Sequence, residues 1–289
     1  RARRGRPAGP GGAGLAPAAA LGHGRRVLVA VTTPLRGTAA EEAGAREAAA
    51  RHGLPFAPRG QRPLPVLLEE AGAGALLVLS RLHAALWTPE AEHRWAGGMG
   101  LVRMKRALAR RAGAPADPSE RDPLLEAAGI LPGDAVLDAT LGLGADALVA
   151  SAACGPGGRV VGVEASRPLA AWVAEGLRRL PAEPAGRIEV VAADHGAHLA
   201  ALPPASFDVV LFDPMFRHGR EAPGGFELLR RLADARPLEA AALEAARRVA
   251  RRWVVVKDGA PGWDLARLGL TPLPSARGAH RYYGRLGPA

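Results

Sequence analysis

Residues 136–146 read VLDATLGLGAD, an apolar run that stops on the carboxylate of Asp138 and continues into glycines at 142 and 144. The pattern predicts a buried strand, a tight loop and the first turn of a helix. Glycine lets a loop backbone approach a ligand closely, and a helix N-terminus offers unpaired N–H groups. The strand itself covers 135–139 (AVLDA), and comparable runs follow at 159–164 (RVVGVE), 187–193 (RIEVVAA), 207–213 (FDVVLFD) and 252–257 (RWVVVK). Apolar strands separated by helix-length gaps imply a parallel sheet covered on both faces. The expected fold is a doubly wound α/β sheet, whose ligand sits at the carboxyl ends of the strands. A final pair of short strands, near 270 and at 280–286, is expected to close the chain.

Upstream, the first half alternates elements on a smaller scale. VLVAVTT (27–33) and ALLVLS (75–80) read as strands. Thr38 and Glu41 form a capping box for a helix that Gly53 stops, and a second helix is expected over 64–71. Residues 99–111 (MGLVRMKRALARR) predict a basic amphipathic helix, with Leu101, Met104 and Leu108 on one side and mostly arginines on the other. Asp122 and Pro123 then open a short helix after the linker that starts at 113. The expected organisation is a disordered basic tail over 1–26, a smaller N-terminal α/β domain over 27–115, and the main α/β domain over 116–289.

With 48% hydrophobic and 23% charged residues over 289 positions, the chain can bury a core, which excludes whole-chain disorder. No run approaches 18 uninterrupted apolar residues, so no transmembrane helix is expected and the location is read as cytoplasmic. The single cysteine, Cys154, rules out an internal disulfide and a multi-thiolate zinc site, reads as a buried small residue, and no metal is expected. The net charge of +10 suggests a polyanionic partner. Six of those charges, however, lie in residues 1–26, whose Gly- and Pro-rich composition predicts disorder and fits a secretory signal poorly. The remaining 263 residues carry only +4. Only Lys105 and Lys257 among the 38 basic residues are lysines, the mark of a G+C-rich genome. Lys257 reads as a strand-end solvating group. Arg247, Arg248, Arg251 and Arg252 read as a solvated helix end. The 103–111 cluster is the better polyanion contact, because no acid occurs between Glu92 and Asp117.

The strand ends carry the chemistry. Gly142, Gly144 and Ala147 satisfy the loose dinucleotide fingerprint GxGxxA, so both NAD and S-adenosylmethionine are weighed. Against NAD, Asp138 occupies the strand end where a pyrophosphate would be repelled, and the glycines come four and six residues later. A carboxylate there suits a ligand with a cationic amino group. Glu164 ends the second strand, where an acid can accept from both ribose hydroxyls of either cofactor. The third strand ends in Asp194-His195, with Asp194 read both as an adenine acceptor and as a helix N-cap. The fourth ends in Asp213-Pro214-Met215-Phe216.

Together the four strand ends resemble the class I S-adenosylmethionine-dependent methyltransferases, and the fold implied is a Rossmann-like methyltransferase sheet. DATLGLGADALVAS, then VEAS, then FDPMF with Arg217 and His218, is similar to the small-subunit rRNA guanine-N2 methyltransferase family, from about Asp134 to Tyr283. The first half is similar to that of uncharacterised bacterial methyltransferase relatives. The resemblance implies that Asp138, Gly142, Gly144, Ala145 and Asp146 contact S-adenosylmethionine. It also implies that Glu164 and Ala165 bind its ribose, that Asp194 and His195 border its adenine, and that Asp213 lies beside the methyl-bearing sulfonium. Where those rRNA enzymes carry small hydroxyl residues, this chain has Asp194 and His195, which changes the adenine-side hydrogen bonds. Asp213 and the Pro214 carbonyl would accept the N–H bonds of a guanine amino group, and Phe216 would stack on the flipped base. Arg217, His218, Arg103, Lys105 and Arg106 would meet the RNA. The expected activity is methylation of a guanine N2 in small-subunit rRNA. A small-molecule or protein methyltransferase and a catalytically silent nucleotide- or RNA-binding module stay open, as does the oligomeric state.

Overall fold

In the computed structural model, which describes residues 27–114, 121–214, 232–274 and 280–289, the strands assemble into two sheets. The basic tail 1–26 lies outside the described residues. The first sheet has the order β1 (Val29–Thr32), β2 (Ala75–Leu79), β3 (Ala84–Trp87) and β4 (Glu92–Arg94). β1 and β2 are parallel, and β3 and β4 add antiparallel. The last two were not expected, because four- and three-residue strands carry too little periodicity to register. Helix α1 (Ala39–His52) starts on the expected capping box and ends at Gly53, whose φ of 60° favours glycine. Helix α2 spans Leu64–Glu70.

The second sheet has the order β10 (Arg281–Leu286), β9 (Ala250–Gly259), β8 (Phe207–Phe212), β5 (Ala135–Asp138), β6 (Arg159–Glu164) and β7 (Ile188–Ala192). All neighbours are parallel except β10 on β9. The chain runs outward from β5 through β6 to β7, then returns to β8 on the other side. The order therefore reverses between β5 and β8, where ligands bind in such sheets. Helices α3 (Gly98–Arg111), α4 (Pro123–Ala128), α5 (Ala145–Cys154), α6 (Arg167–Arg179), α7 (Glu183–Gly186), α8 (His195–Ala201), α9 (Ala240–Val249) and α10 (Trp263–Arg267) complete the described elements. The strand expected near 270 is reduced to one bridge, Pro272 to Gly284, since Pro272 has no N–H to extend a ladder.

Two expectations about basic residues change. Helix α3, assigned by sequence to the N-terminal unit, packs on α5, with Gly100 so close that an added Cβ would lie 2.6 Å from the Ala145 Cα. The arginines read as a solvated helix end are instead structural. Arg248 donates to the carbonyls of Leu199 (2.7 Å) and Leu202 (2.8 Å) at the end of α8. Arg251 pairs with Asp208, and Arg252 pairs with Asp134.

Two tryptophans clasp the units together. Trp172 on α6 donates to the Ala84 carbonyl of β3 at 3.2 Å, and Trp95, just after β4, donates to the Leu143 carbonyl in the glycine loop at 3.2 Å. Gly176 of α6 lets the Trp95 ring lie flat, because an added Cβ would sit 2.3–2.5 Å from three ring atoms. Alanine improves helix propensity by about 1 kcal/mol, but this clash costs about 1–3 kcal/mol. Gly176→Ala is therefore expected to lower the urea unfolding midpoint, and an unchanged or raised midpoint would contradict the clasp.

Candidate active site

The carboxyl ends of β5 and β8 are laced together by short bonds. Asp138, 2% exposed, accepts from the Thr140 N–H at 3.2 Å, and the Thr140 hydroxyl accepts from the Asp213 N–H at 2.6 Å. Burial, reinforced by the nearby Asp146 charge, pushes the Asp138 carboxyl up to about 8. The glycine loop turns through left-handed backbone at Gly142 (φ 51°) and Gly144 (φ 78°). The Gly142 N–H donates to Glu164 at 3.1 Å, whose other oxygen accepts from the Ser166 N–H at 2.8 Å. Glu164 thereby ties the loop to the start of α6, and burial raises its carboxyl. Ala165, between them, is half-buried, as is Ala145 at the first turn of α5.

At the end of β7, Asp194 caps α8 by accepting from the Ala197 N–H at 2.9 Å, which holds its carboxyl below the usual range. It also accepts from Arg236 at 2.6 Å, and Arg236 grips Asp234 with its Nε. His195 lies edge-on to Phe212 of β8, with ring centroids 5.9 Å apart. Burial lowers its pKa, so the imidazole is neutral at neutral pH.

The strongest feature is a chain of alternating charge. Asp122, the N-cap of α4, takes a two-pronged contact from Arg103 of α3 at 2.7 and 2.9 Å. Arg103 also donates to Asp146 in the first turn of α5. The other oxygen of Asp146 accepts from Lys257 of β9 at 3.0 Å, and Lys257 in turn donates to Asp213. Burial opposes ionisation of Asp146, but Lys257 and Arg103 outweigh it and hold the carboxyl low. Burial also opposes the charge on Lys257, yet Asp213 and Asp146 keep its ammonium firmly protonated. For Asp213 burial acts upward and Lys257 against it.

Asp138, Asp146, Glu164 and Asp213, with the glycines, therefore converge on the β5–β8 reversal, while Asp194 and His195 flank it. Pro214 follows Asp213 directly, and Phe216, Arg217 and His218 lie outside the described residues. Two sequence expectations are corrected. Arg103 is turned inward between two carboxylates, with a side chain 20% exposed, rather than lying on the solvent side of α3. Lys257 is buried and bridges Asp146 and Asp213 rather than solvating a strand end. Lys105 and Arg106 are exposed on α3. Sequence reading missed Thr140, Asp234 and Arg236, which carry no motif. Cys154 is buried, and no cluster of metal-ligating side chains occurs among the described residues. No described helix is long and apolar enough to cross a membrane.

Asp138 offers a pH test. Its carboxyl keeps a proton to about pH 8 when folded, but ionises near pH 4 when unfolded. The folded state binds the extra proton between those values, so this contribution to stability is complete below about pH 4 and is lost as pH rises toward 8. Asp138→Asn is expected to flatten the pH dependence of the urea midpoint in that window. Parallel pH profiles for the two proteins would contradict the buried neutral carboxyl.

The family model "Putative SAM-dependent methyltransferase" matches residues 99–267, from the first turn of α3 to the end of α10. The uncharacterized protein YpiP of Bacillus subtilis (strain 168) is 37% identical over 213 residues, covering 71% of this chain and 79% of YpiP. Ribosomal RNA small subunit methyltransferase J of Halorhodospira halophila is 35% identical over 212 residues, covering 60% of this chain and 78% of the relative. The protein of the same name from Alkalilimnicola ehrlichii is 36% identical over 168 residues, covering 50% and 62%. Among solved structures, a SAM-dependent methyltransferase from Neisseria gonorrhoeae shares the fold, with a TM-score of 0.60 and 21% identity over 90% of this chain and 96% of that one. The chain belongs to the SAM-dependent methyltransferase family, a Rossmann-like fold that uses S-adenosylmethionine as its cofactor.

Proposed function

We propose that this methyltransferase acts on the exocyclic N2 amino group of a guanine in small-subunit rRNA. The observation that carries the reading is the placement of Asp213-Pro214 at the end of β8, across the sheet's reversal from Asp138 and the glycine loop. Two relatives named ribosomal RNA small subunit methyltransferase J support the substrate class.

The residues fit S-adenosylmethionine. An added Cβ at Gly142 would meet nothing nearer than 3.9 Å, so the loop's outer side is open to a ligand. Glu164 ends β6 where ribose hydroxyls are expected, with Ala165 beside it, and Asp194 and His195 border the adenine side. Asp138, Ala145 and Asp146 would face the methionine part, where the ammonium group would draw the buried Asp138 toward its ionised form. The cofactor supplies an electrophilic methyl group on a sulfonium.

The chain's own contribution is positioning. A guanine N2 lone pair is delocalised into the ring, so the nitrogen must be held in line with the methyl carbon. Asp213 and the Pro214 carbonyl would accept its two N–H bonds and stabilise positive charge as the N–C bond forms and the C–S bond breaks. The nitrogen would then release a proton to solvent. Lys257 and Thr140 hold Asp213 for this role, and Phe216 would stack on the base.

S-Adenosylhomocysteine is expected to raise the melting temperature, whereas NAD is not; stabilisation by NAD alone would overturn the cofactor fit. Asp213→Ala is expected to lower kcat by about 100-fold or more while S-adenosylhomocysteine still stabilises the protein; unchanged turnover would remove Asp213 from the reaction. Labelled cofactor and undermodified small ribosomal subunits should yield N2-methylguanosine in the RNA. Label confined to protein or small molecules would refute the substrate.

A further inference from the structure

A cavity of about 350 Å³ opens beside the Lys257–Asp213 contact, walled by α3, the start of α4 and the ends of β9 and β10. Among the described residues its lining carries six formal cations, and the carboxylate of Asp122 paired with Arg103. Four chain segments supply the charge, Lys257 coming from β9. Arg103, Arg106 and Arg110 recur at helical spacing along one side of α3. Arg121 enters just before α4, and Arg281 opens β10. Arg281 and Tyr283 share a sheet face, because they are two residues apart, and Tyr283 lies directly opposite Lys257 across the ladder.

This composition fits a particular chemistry. Guanidinium groups match phosphate oxygens in planar two-pronged contacts, and Arg106, Arg110, Arg121 and Arg281 bring such groups to the cavity. The cavity adjoins the residue proposed to hold the target amino group. When a base is flipped toward such a residue, its flanking phosphodiesters stay on the backbone at the mouth of the site. Phosphate contacts fix register without reading sequence, which is what a base-positioning enzyme requires of its rim.

We propose that this cavity binds the phosphodiester groups flanking the target nucleotide, with Arg106, Arg110 and Arg281 as the contacting residues and Arg103 as the brace behind them. The inference rests on the RNA reading above and assigns the place where the backbone lies. A second cavity, between α1 and β7, is also lined by arginines, including Arg178, but it lies along the far edge of the sheet from β8. It serves as the comparison.

The test uses the full chain and three variants, Arg106→Gln with Arg110→Gln, Arg281→Gln, and Arg178→Gln. Undermodified small-subunit RNA is titrated at several salt concentrations, with methylation kinetics and S-adenosylhomocysteine binding measured in parallel. The α3 pair and Arg281→Gln are expected to flatten the salt dependence of log K by about 0.7 per lost contact. Their KM for RNA should rise while kcat at saturating RNA and S-adenosylhomocysteine binding hold. Arg178→Gln is expected to match the parent. An unchanged salt slope and KM in the α3 and Arg281 variants, with the parent still methylating RNA, would overturn the cavity assignment alone. Weakened S-adenosylhomocysteine binding would overturn it in favour of a cofactor role, and loss of slope in Arg178→Gln would move the backbone to the other cleft. A parent chain that neither binds nor methylates RNA would refute the RNA reading and the cavity proposal with it.

Discussion

Asp122, Arg103, Asp146, Lys257 and Asp213 form a continuous ion chain across four helices and strands and the turn after β8. Isolated charges could not occupy this region, since a buried ion without its partner costs several kcal/mol. Each member is tolerated because the next one compensates it, and that makes the chain a positioning device. Moving α3 would strip Arg103 from Asp146, and losing Lys257 would leave two carboxylates facing each other. Asp138, beside this chain, has no such partner: burial, reinforced by the charge on Asp146, makes a further negative charge unfavourable, and the carboxyl keeps its proton.

The N-terminal unit reaches the site by a different route. Trp95 holds the Leu143 carbonyl within the glycine loop, and Gly176 supplies the space for its ring. The loop is therefore braced from outside by the residue that follows the smaller sheet's last strand, while Glu164 braces it from within. Helix α3 belongs with the larger sheet by packing, and the family match also begins there.

Much of this was legible in the sequence because the strands of this parallel sheet are short apolar runs, several of which end in a carboxylate. Asp138, Glu164 and Asp213 each stop such a run, and their convergence follows from strand order alone. The N-cap roles of Thr38 and Asp122 were equally readable, being local. What escaped was long-range. Nothing near Arg103 in the chain shows that Asp122 and Asp146 will enclose it, so helical periodicity placed it on the solvent side. Lys257 had a signal that went unused: a lysine at the end of a buried run, in a chain that otherwise writes its cations almost wholly as arginine. The Arg236 pairing with Asp194 depends on two segments 42 residues apart and leaves no trace in either.

The most direct test of the account is a crystal structure with S-adenosylhomocysteine bound. The ribose hydroxyls are expected within hydrogen-bond distance of Glu164 and the sulfur facing Asp213, with Lys257 still bridging Asp213 and Asp146. A ligand seated elsewhere, or a sulfur turned away from Asp213, would contradict it.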